Sequence, residues 1–189
     1  MTFIVIDGLD ASGKSTQAIE LAKFLSRKGK TVCIRSHPSN DNFFGVMTQR
    51  FLYSRGKSAH FAAAAFYLLD VIRSILLYTW QKYDYLIFVR YLMGTAYLPA
   101  PLHNIAYHFF ALLVPKPQVM FFLDLPAHEA YSRIVGARKN HEIFESIAEL
   151  KKVRTKGLFL ALVGNWIIIR ANMSTAEVGI EIRKSLGFY

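Results

Sequence analysis

The chain has 189 residues, the length of one domain or of a domain with a small lid, and its 53% hydrophobic and 19% charged residues exclude disordered, collagen-like and coiled-coil proteins. The 23 basic and 13 acidic residues give a net charge of +10, which indicates an anionic partner, from a phosphorylated metabolite to nucleic acid. Cys33 is the single cysteine, which excludes an internal disulfide scaffold.

Five short apolar runs predict β-strands at residues 3–7, 31–35, 85–89, 119–123 and 166–170. They are almost continuously apolar, which is typical of a parallel sheet covered on both faces. An apolar stripe over residues 15–27 predicts a helix between the first two strands, and residues 60–81 predict a longer helix. Ser174 and Glu177 form the capping-box pattern that opens the last helix. This alternation of strands and helices indicates one α/β domain with an open sheet.

The segment 91–115 contains no acidic or basic residue. A membrane-spanning helix needs about 20 mostly apolar residues, but Pro99 and Pro101 interrupt this segment and Pro115 closes it. We therefore expect no membrane span. The apolar run at residues 3–6 is too short for a signal peptide, so we expect a soluble cytoplasmic protein.

Residues 8–15 match the pattern G-x-x-x-x-G-K-S/T between a predicted strand and a predicted helix. Glycines let backbone N–H groups turn toward a phosphate, and the N-terminus of the helix adds partial positive charge. Lys14 adds a full positive charge, and the Ser15 hydroxyl can ligate Mg²⁺. The pattern predicts a nucleoside triphosphate site. The residues assigned to it are Gly8, Leu9, Asp10, Ala11, Ser12, Gly13, Lys14, Ser15 and Thr16.

Residues 3–17 closely resemble the opening of thymidylate kinases. Further similar segments follow in the family's order, and together they cover essentially the whole chain: residues 35–38, 90–91, 95–97, 117–126, 133 and 144–145. The resemblance implies a single kinase domain over residues 1–189. The implied fold is of the P-loop NTPase type, a five-stranded parallel sheet with helices on both faces and a small lid at about residues 136–145.

In that family the γ-phosphate of Mg-ATP is transferred to dTMP, giving dTDP. The resemblance implies that Lys14 and Mg²⁺, held through Ser15, neutralise the donor phosphates. It also implies that Asp10 faces the acceptor's sugar, that Arg90 clamps the acceptor phosphate, and that Arg133 lies near adenine. ATP and Mg²⁺ are therefore the expected cofactors, and Lys14, Arg90 and Asp10 are expected to be catalytic.

The resemblance places further residues around the acceptor. Tyr97 is expected beside the deoxyribose and Phe66 stacked on the base. The other expected substrate-binding residues are Arg35, Pro38, Arg73 and Thr95. Family members commonly dimerise, so a homodimer is expected; the apolar residues 107–113 are interpreted either as core or as a dimer face. We expect no nucleic-acid partner, because the basic composition comes without an aromatic-lined groove motif.

Ala11 stands where one branch of the family has a catalytic arginine, which moves the expected cation to the lid. Arg138 is the predicted lid cation, with Lys139 beside it, and the alternative interpretation is that both are solvated loop charges.

Val89 replaces an aspartate of the family. The loss of one such preorganised polar group costs roughly 3 kcal/mol of transition-state stabilisation, or about a hundredfold in rate. Asp124 either substitutes for it or is a structural residue at the end of a strand.

The helix expected to read thymine also departs from the family. Asp70 should be followed directly by an arginine, but Arg73 lies two positions further on, a rotation of about 200° around the helix. Ser36 and His37 replace the usual arginine and glutamate before Pro38. These departures leave two alternatives open: a P-loop kinase with another nucleotide acceptor, and a weakly active or non-catalytic ATP-binding homologue.

Overall fold

The structure, a computed structural model, describes residues 1–54, 57–98, 101–137 and 146–188. Five strands are present in these ranges: β1 (Thr2–Gly8), β2 (Val32–Ser36), β3 (Tyr85–Val89), β4 (Val119–Asp124) and β5 (Ile167–Arg170). Seven α-helices accompany them: α1 (Lys14–Arg27), α2 (Phe43–Leu52), α3 (Lys57–Tyr78), α4 (Leu102–Leu113), α5 (Ala127–Ala137), α6 (Ile147–Val163) and α7 (Thr175–Ser185). A 3₁₀ helix, Leu92–Tyr97, follows β3.

The strands form one parallel sheet in the order β2-β3-β1-β4-β5, with β1 in the centre. Five consecutive residues of β1, 3–7, are buried, so both faces of the sheet are covered. This confirms the predicted α/β fold. The carboxyl ends of β1 and β3 lie side by side, because Ile6 pairs with Val89, and the loops that follow these strands therefore meet at one edge.

The predicted strands are confirmed with ends that differ by one residue at most. The capping box is also confirmed: the Ser174 side chain accepts from the Glu177 N–H, and Glu177 accepts from the Ser174 N–H. The long helix α3 begins and ends three residues earlier than predicted. At its end the Gln81 N–H donates to the Tyr78 carbonyl oxygen in a turn. Helix α2 was not predicted; Asn42 opens it by accepting from the N–H groups of residues 44 and 45.

The apolar segment 91–115 is divided between the 3₁₀ helix and the 12-residue α4, so it is not one long helix. Among the described residues, one stretch is long and apolar enough to cross a membrane by length and composition: Phe61–Tyr78 in α3, of which 28% is buried. Core helices of soluble proteins meet the same criterion, and α3 carries the fully buried carboxylate of Asp70. Most of the predicted lid, including Arg138, lies outside the described residues.

Candidate active site

The loop between β1 and α1 has the backbone that its glycines make possible. Gly8 has φ +147°, and a Cβ there would collide with the carbonyl oxygen of Leu123 on β4. Gly13 has φ +90° and stands at the start of α1. Both residues thus adopt conformations that side chains disfavour. The loop is pressed against β4 and leads directly into the N-terminus of α1, the geometry that suits anion binding.

Lys14 lies in the first turn of α1 and is almost fully buried, with 5% of its surface exposed. Its Nζ donates to the carbonyl oxygens of Gly8 at 3.0 Å and Leu9 at 2.5 Å. It also lies 3.7 Å from the Asp10 carboxylate. Burial, and after it the charge of Arg90, lowers the pKa of Lys14 to about 8. The ammonium group is therefore held at the loop and desolvated, where its charge acts strongly on a phosphate.

A second cluster joins this loop to the end of β3. Arg90 donates to the Asp10 carboxylate and, at 3.3 Å, to the His37 carbonyl oxygen. The Tyr97 hydroxyl donates to the other oxygen of Asp10 at 3.0 Å. Burial alone would raise the pKa of Asp10, but Arg90 and Lys14 outweigh it and hold that pKa well below its usual range. Asp10 is thus a carboxylate shared by Lys14, Arg90 and Tyr97.

Asp7, the last buried residue of β1, links the same two loops through backbone hydrogen bonds. Its carboxylate accepts from the Gly8 N–H at 2.9 Å and from the Tyr91 N–H at 2.8 Å. Burial raises the pKa of this carboxyl group. Arg90 has φ +65°, and the Asp7 contact fixes the backbone directly after it. From the sequence, Asp7 was predicted only as part of a strand. The signal for its role was an acidic residue at the end of an otherwise apolar run.

A cavity opens beside Arg90, between the 3₁₀ helix and helices α2, α3 and α4. Its lining contains five of the predicted site residues: Asp10, Pro38, Arg90, Thr95 and Tyr97. The other lining residues are Thr48, Leu52, Ala63, Ala64, Tyr67, Leu68, Val71, Tyr91, Leu92, Gly94, Leu98, Phe110 and Val114. The charged lining residues are therefore Asp10 and Arg90, and the other lining residues are uncharged, most of them aliphatic or aromatic with a few hydroxyl groups.

The structure places Phe66 outside this cavity. Its ring stacks on Phe51 of α2 at 5.7 Å between centroids and meets Phe43 edge to face. The cavity lining includes the next two residues of α3, Tyr67 and Leu68, and does not include Phe66. Tyr67 is the aromatic residue of α3 in the cavity lining. The expected stacking of Phe66 on a base is thus not supported by its position.

Arg35 and Arg73 also lie outside the cavity lining. Arg35 forms a two-bond pair with Asp41, both bonds at 2.6 Å, and donates to the Ser74 hydroxyl. Arg73 lies 3.9 Å from the same Asp41. The expected roles of Arg35 and Arg73 in substrate binding are therefore not supported by their positions. Val71, two residues before Arg73 on α3, lies in the cavity lining.

The loop that carries Pro38 is fixed from α3 by a buried carboxylate. Asp70 is completely buried and accepts from the Ser39 N–H at 2.7 Å, the Ser39 hydroxyl at 2.6 Å and the Asn42 side chain at 2.7 Å. The preceding His37 packs edge to face on Phe88, and burial lowers its pKa to about 4. His37 is therefore neutral at physiological pH and acts here as a packing residue.

Two further predicted residues lie at the edge of the phosphate loop. Arg133 of α5 donates to the Ala11 carbonyl oxygen at 3.2 Å and to the Ala171 carbonyl oxygen at 3.4 Å. Asp124 forms a two-bond pair with Arg154 of α6, at 2.6 and 2.8 Å. This pairing favours the structural interpretation of Asp124. Val89 is buried in the core, and the carboxylates of Asp10 and Asp7 both act on Arg90 through space.

Comparison with known proteins identifies the relatives of this chain. The family model described as thymidylate kinase matches residues 6–182. A probable thymidylate kinase of Thermococcus onnurineus is 33% identical over 176 residues, covering 84% of this chain and 83% of that protein. The thymidylate kinase of Plasmodium falciparum is 27% identical, covering 97% and 89%. The solved structure of Candida albicans thymidylate kinase aligns with a TM-score of 0.70 at 22% identity, covering 98% of this chain and 91% of that one.

Proposed function

Because the chain belongs to the thymidylate kinase family, we propose that it transfers the γ-phosphate of Mg-ATP to dTMP and releases dTDP and ADP. The observation that carries this proposal is the position of Asp10. Its carboxylate lies 3.7 Å from Lys14 of the phosphate loop and accepts hydrogen bonds from Arg90 and Tyr97 of the cavity. One residue thus joins a triphosphate site to a second, adjacent site, as transfer between two nucleotides requires.

The donor site is the loop between β1 and α1. We propose that its backbone N–H groups and Lys14 bind the β- and γ-phosphates of ATP. Arg133, which contacts the Ala11 carbonyl oxygen at the outer edge of this loop, is proposed to lie beside the adenine. A catalytic cation from Arg138 of the lid remains a proposal that rests on the resemblance alone.

The residues present fit a magnesium ion at the donor site. Ser15 is exposed in the first turn of α1, next to the buried Lys14, and Mg²⁺ prefers oxygen ligands such as hydroxyls, phosphates and water. Ser15 would hold the ion together with the phosphates of ATP. When bound, Mg²⁺ supplies charge neutralisation between the donor phosphates.

The acceptor site is the cavity beside Arg90. The Arg90 guanidinium group has five N–H donors in a planar fork, and Asp10 and the His37 carbonyl use only part of them. We propose that the others bind the 5′-phosphate of dTMP. Asp10 and Tyr97 would face the deoxyribose, and Tyr67 would form the aromatic wall beside the base.

Phosphoryl transfer needs positioning and charge neutralisation more than covalent chemistry. In this site Lys14 and Arg90 provide fixed positive charge on the two sides of Asp10, and Asp7 holds the backbone turn that carries Arg90. The site is therefore preorganised before either nucleotide binds, which is the feature that lowers the barrier in such reactions.

We also propose that the protein is a cytoplasmic homodimer. The apolar residues 107–113 divide between the two earlier interpretations: Tyr107 is buried, whereas Phe109 and Leu112 are 56% and 86% exposed. The last turn of α3 and the turn after it carry two further exposed apolar side chains, Leu76 and Trp80, 63% and 85% exposed. Large exposed apolar side chains on helices support a dimer, and sedimentation equilibrium at micromolar concentration tests it.

The experiment that tests the activity is ADP production from Mg-ATP across a panel of ribo- and deoxynucleoside monophosphates. We expect selective turnover of dTMP and a loss of at least a hundredfold in Lys14→Ala, because that variant removes the charge at the donor phosphates. Ser132→Ala, an exposed change on α5, is the control for handling and folding. Turnover of another monophosphate, with dTMP inert, would overturn the proposed acceptor.

A further inference from the structure

A second cavity lies between the ends of α4 and α6 and the loop that precedes β4. Its volume is about 270 Å³. Since an engineered apolar cavity of about 150 Å³ binds benzene, this space is large enough for one substituted ring. Of the residues assigned above to the two nucleotides, none is among its described lining residues.

Much of the lining of this second cavity is apolar. Met120 of β4 and Val163 at the end of α6 contribute to it, together with Pro115 and Pro117 of the loop. Pockets for small molecules are typically built in this way, with a few polar groups that fix the orientation of the ligand.

Two polar side chains of the lining offer hydrogen-bond donors. Lys116 is exposed and lies between two prolines, whose rings fix the backbone on both sides of it. Asn165 has φ +56°, a left-handed conformation that asparagine adopts more readily than most residues. The ammonium group has three N–H donors and the amide has two. Lys116 also brings a full positive charge to the cavity.

Backbone acceptors beside the cavity already have partners within the chain. At the end of α6 the carbonyl oxygens of residues 160, 161 and 162 accept from the N–H groups of residues 164, 166 and 165. The Pro115 carbonyl oxygen accepts from the Tyr91 hydroxyl at 2.9 Å. The side chains of Lys116 and Asn165 therefore favour a ligand that accepts hydrogen bonds and carries negative charge.

The second cavity is in physical contact with the acceptor cavity. Leu92 and Val114 line both, and they are 6% and 8% exposed. Tyr91, the residue after Arg90, adds a hydrogen-bonded link. Its hydroxyl donates to Pro115 of the second cavity, and its carbonyl oxygen accepts from Tyr67 of the acceptor cavity at 2.8 Å. A ligand in one cavity therefore touches side chains that shape the other.

We propose that the second cavity is an effector site for a small organic anion, a single flat ring that carries a carboxylate. The ring occupies the apolar part of the cavity, and the carboxylate pairs with Lys116 and Asn165. The bound anion supports Leu92 and Val114 from behind and so raises the affinity of the acceptor cavity. This coupling, unlike the site itself, depends on dTMP binding.

The probe is benzoate, and benzamide is the matched neutral ligand of the same shape. Trp166 reports on the cavity, because its indole N–H donates at 2.8 Å to the hydroxyl of Tyr107, a lining residue. Trp80, which is 85% exposed and outside the described lining, is the internal reference. Proton–nitrogen correlation NMR follows the two indole signals, and Trp80→Phe assigns them.

Benzoate should shift the Trp166 signal with a Kd of about 1 mM, as expected for a ligand of this size. The Trp80 signal should stay unchanged. We expect benzamide to bind about three- to fivefold more weakly, because an ion pair with an exposed lysine contributes only modestly.

Three variants test the placement. Lys116→Gln should abolish the preference for benzoate over benzamide, because it removes the charge. Lys82→Gln, an exposed lysine in the loop before β3 and outside the described lining, is the matched control and should keep the preference. Ala111→Leu adds bulk at an exposed lining position of α4 and should weaken both ligands by about tenfold or more.

The coupling is measured as the Kd of dTMP with and without saturating benzoate. We expect a decrease of about fivefold or more, and by linkage the Kd of benzoate should fall by the same factor when dTMP is saturating. An unchanged Kd of dTMP would overturn the coupling.

Three results would overturn the site itself: an unmoved Trp166 signal, equal affinities for benzoate and benzamide in the parent protein, or displacement of benzoate by dTMP. Benzoate binding is measured without nucleotide. A protein that does not bind dTMP would therefore refute the proposed function, while the Trp166 signal still decides whether the effector site exists.

Discussion

Replacing Asp10 by asparagine removes the carboxylate that Lys14, Arg90 and Tyr97 share. The change keeps the size of the side chain and an oxygen that can accept from Tyr97, but it removes the charge that faces Arg90 and Lys14. The loss of one partner from a fully buried ion pair costs about 3–5 kcal/mol. Since the Arg90 side chain is 31% exposed and water solvates it in part, we expect a loss of about 2 kcal/mol in the free energy of unfolding.

The same substitution should lower kcat/KM for dTMP by about a hundredfold, because Arg90 loses the group that orients it. Urea denaturation and steady-state kinetics on one preparation measure the two effects. Asp124→Asn is the matched control: it also breaks a partly exposed two-bond pair with an arginine, but Asp124 lies outside the cavity lining. We expect a stability loss of about 1 kcal/mol and activity within threefold of the parent. An Asp10→Asn protein within 0.5 kcal/mol and threefold of the parent would refute the reasoning.

Three further predictions follow from single contacts. The pKa of Lys14 is lowered to about 8, so the charged lysine is lost as pH rises through that value and kcat/KM for ATP should fall about tenfold per pH unit above it; a profile flat to pH 9.5 would contradict this. In Gly94→Ala the added Cβ would lie 2.6 Å from the Tyr67 ring, so KM for dTMP should rise about tenfold with KM for ATP unchanged, and equal shifts in both constants would argue against it. Asp7→Asn replaces an acceptor by an NH₂ group facing a backbone N–H, which should cost about 1–3 kcal/mol of stability by thermal denaturation; an unchanged melting temperature would exclude the linking role.

The fold could be predicted from the sequence because its strands are short, apolar and separated by clear helix signals. Residues 3–7 illustrate this: their uninterrupted apolar pattern is typical of a central parallel strand, and β1 occupies the centre of the sheet. The phosphate loop was equally accessible, because glycine, lysine and serine at fixed spacing have a mechanism that needs them. Helix α2 could not be predicted, because its start depends on a single asparagine, Asn42, within a polar loop.

The acceptor cavity was only partly predictable, because it depends on which side of α3 faces inward. Phe66 and Tyr67 are neighbouring aromatic residues, and sequence alone did not decide between them. Packing decides: Phe66 meets two phenylalanines of α2, and Tyr67 reaches the Tyr91 carbonyl. Arg73 was predicted to bind the substrate, although its place two residues further along the helix turns it by about 200° from the family's position. It lies 3.9 Å from Asp41 and outside the cavity lining.

Asp7 shows a different limit of prediction from the sequence. An acidic residue at the end of a buried strand can be a solvated strand end or a buried linker, and its partner, the Tyr91 N–H, lies 84 residues away. Long-range backbone contacts of this kind are set by the pairing of β1 with β3, which no local pattern encodes. The same pairing brings Arg90 beside Asp10.

The central claim is that one shared carboxylate joins a donor site to an acceptor site for phosphoryl transfer. The most direct measurement is the transfer of radiolabel from γ-labelled ATP to dTMP, with the products separated and counted, in the parent protein and in Lys14→Ala. We predict label in dTDP at a rate that depends on both nucleotides and falls by at least a hundredfold in the variant. Label recovered only as inorganic phosphate, or an equal rate in Lys14→Ala, would contradict the claim.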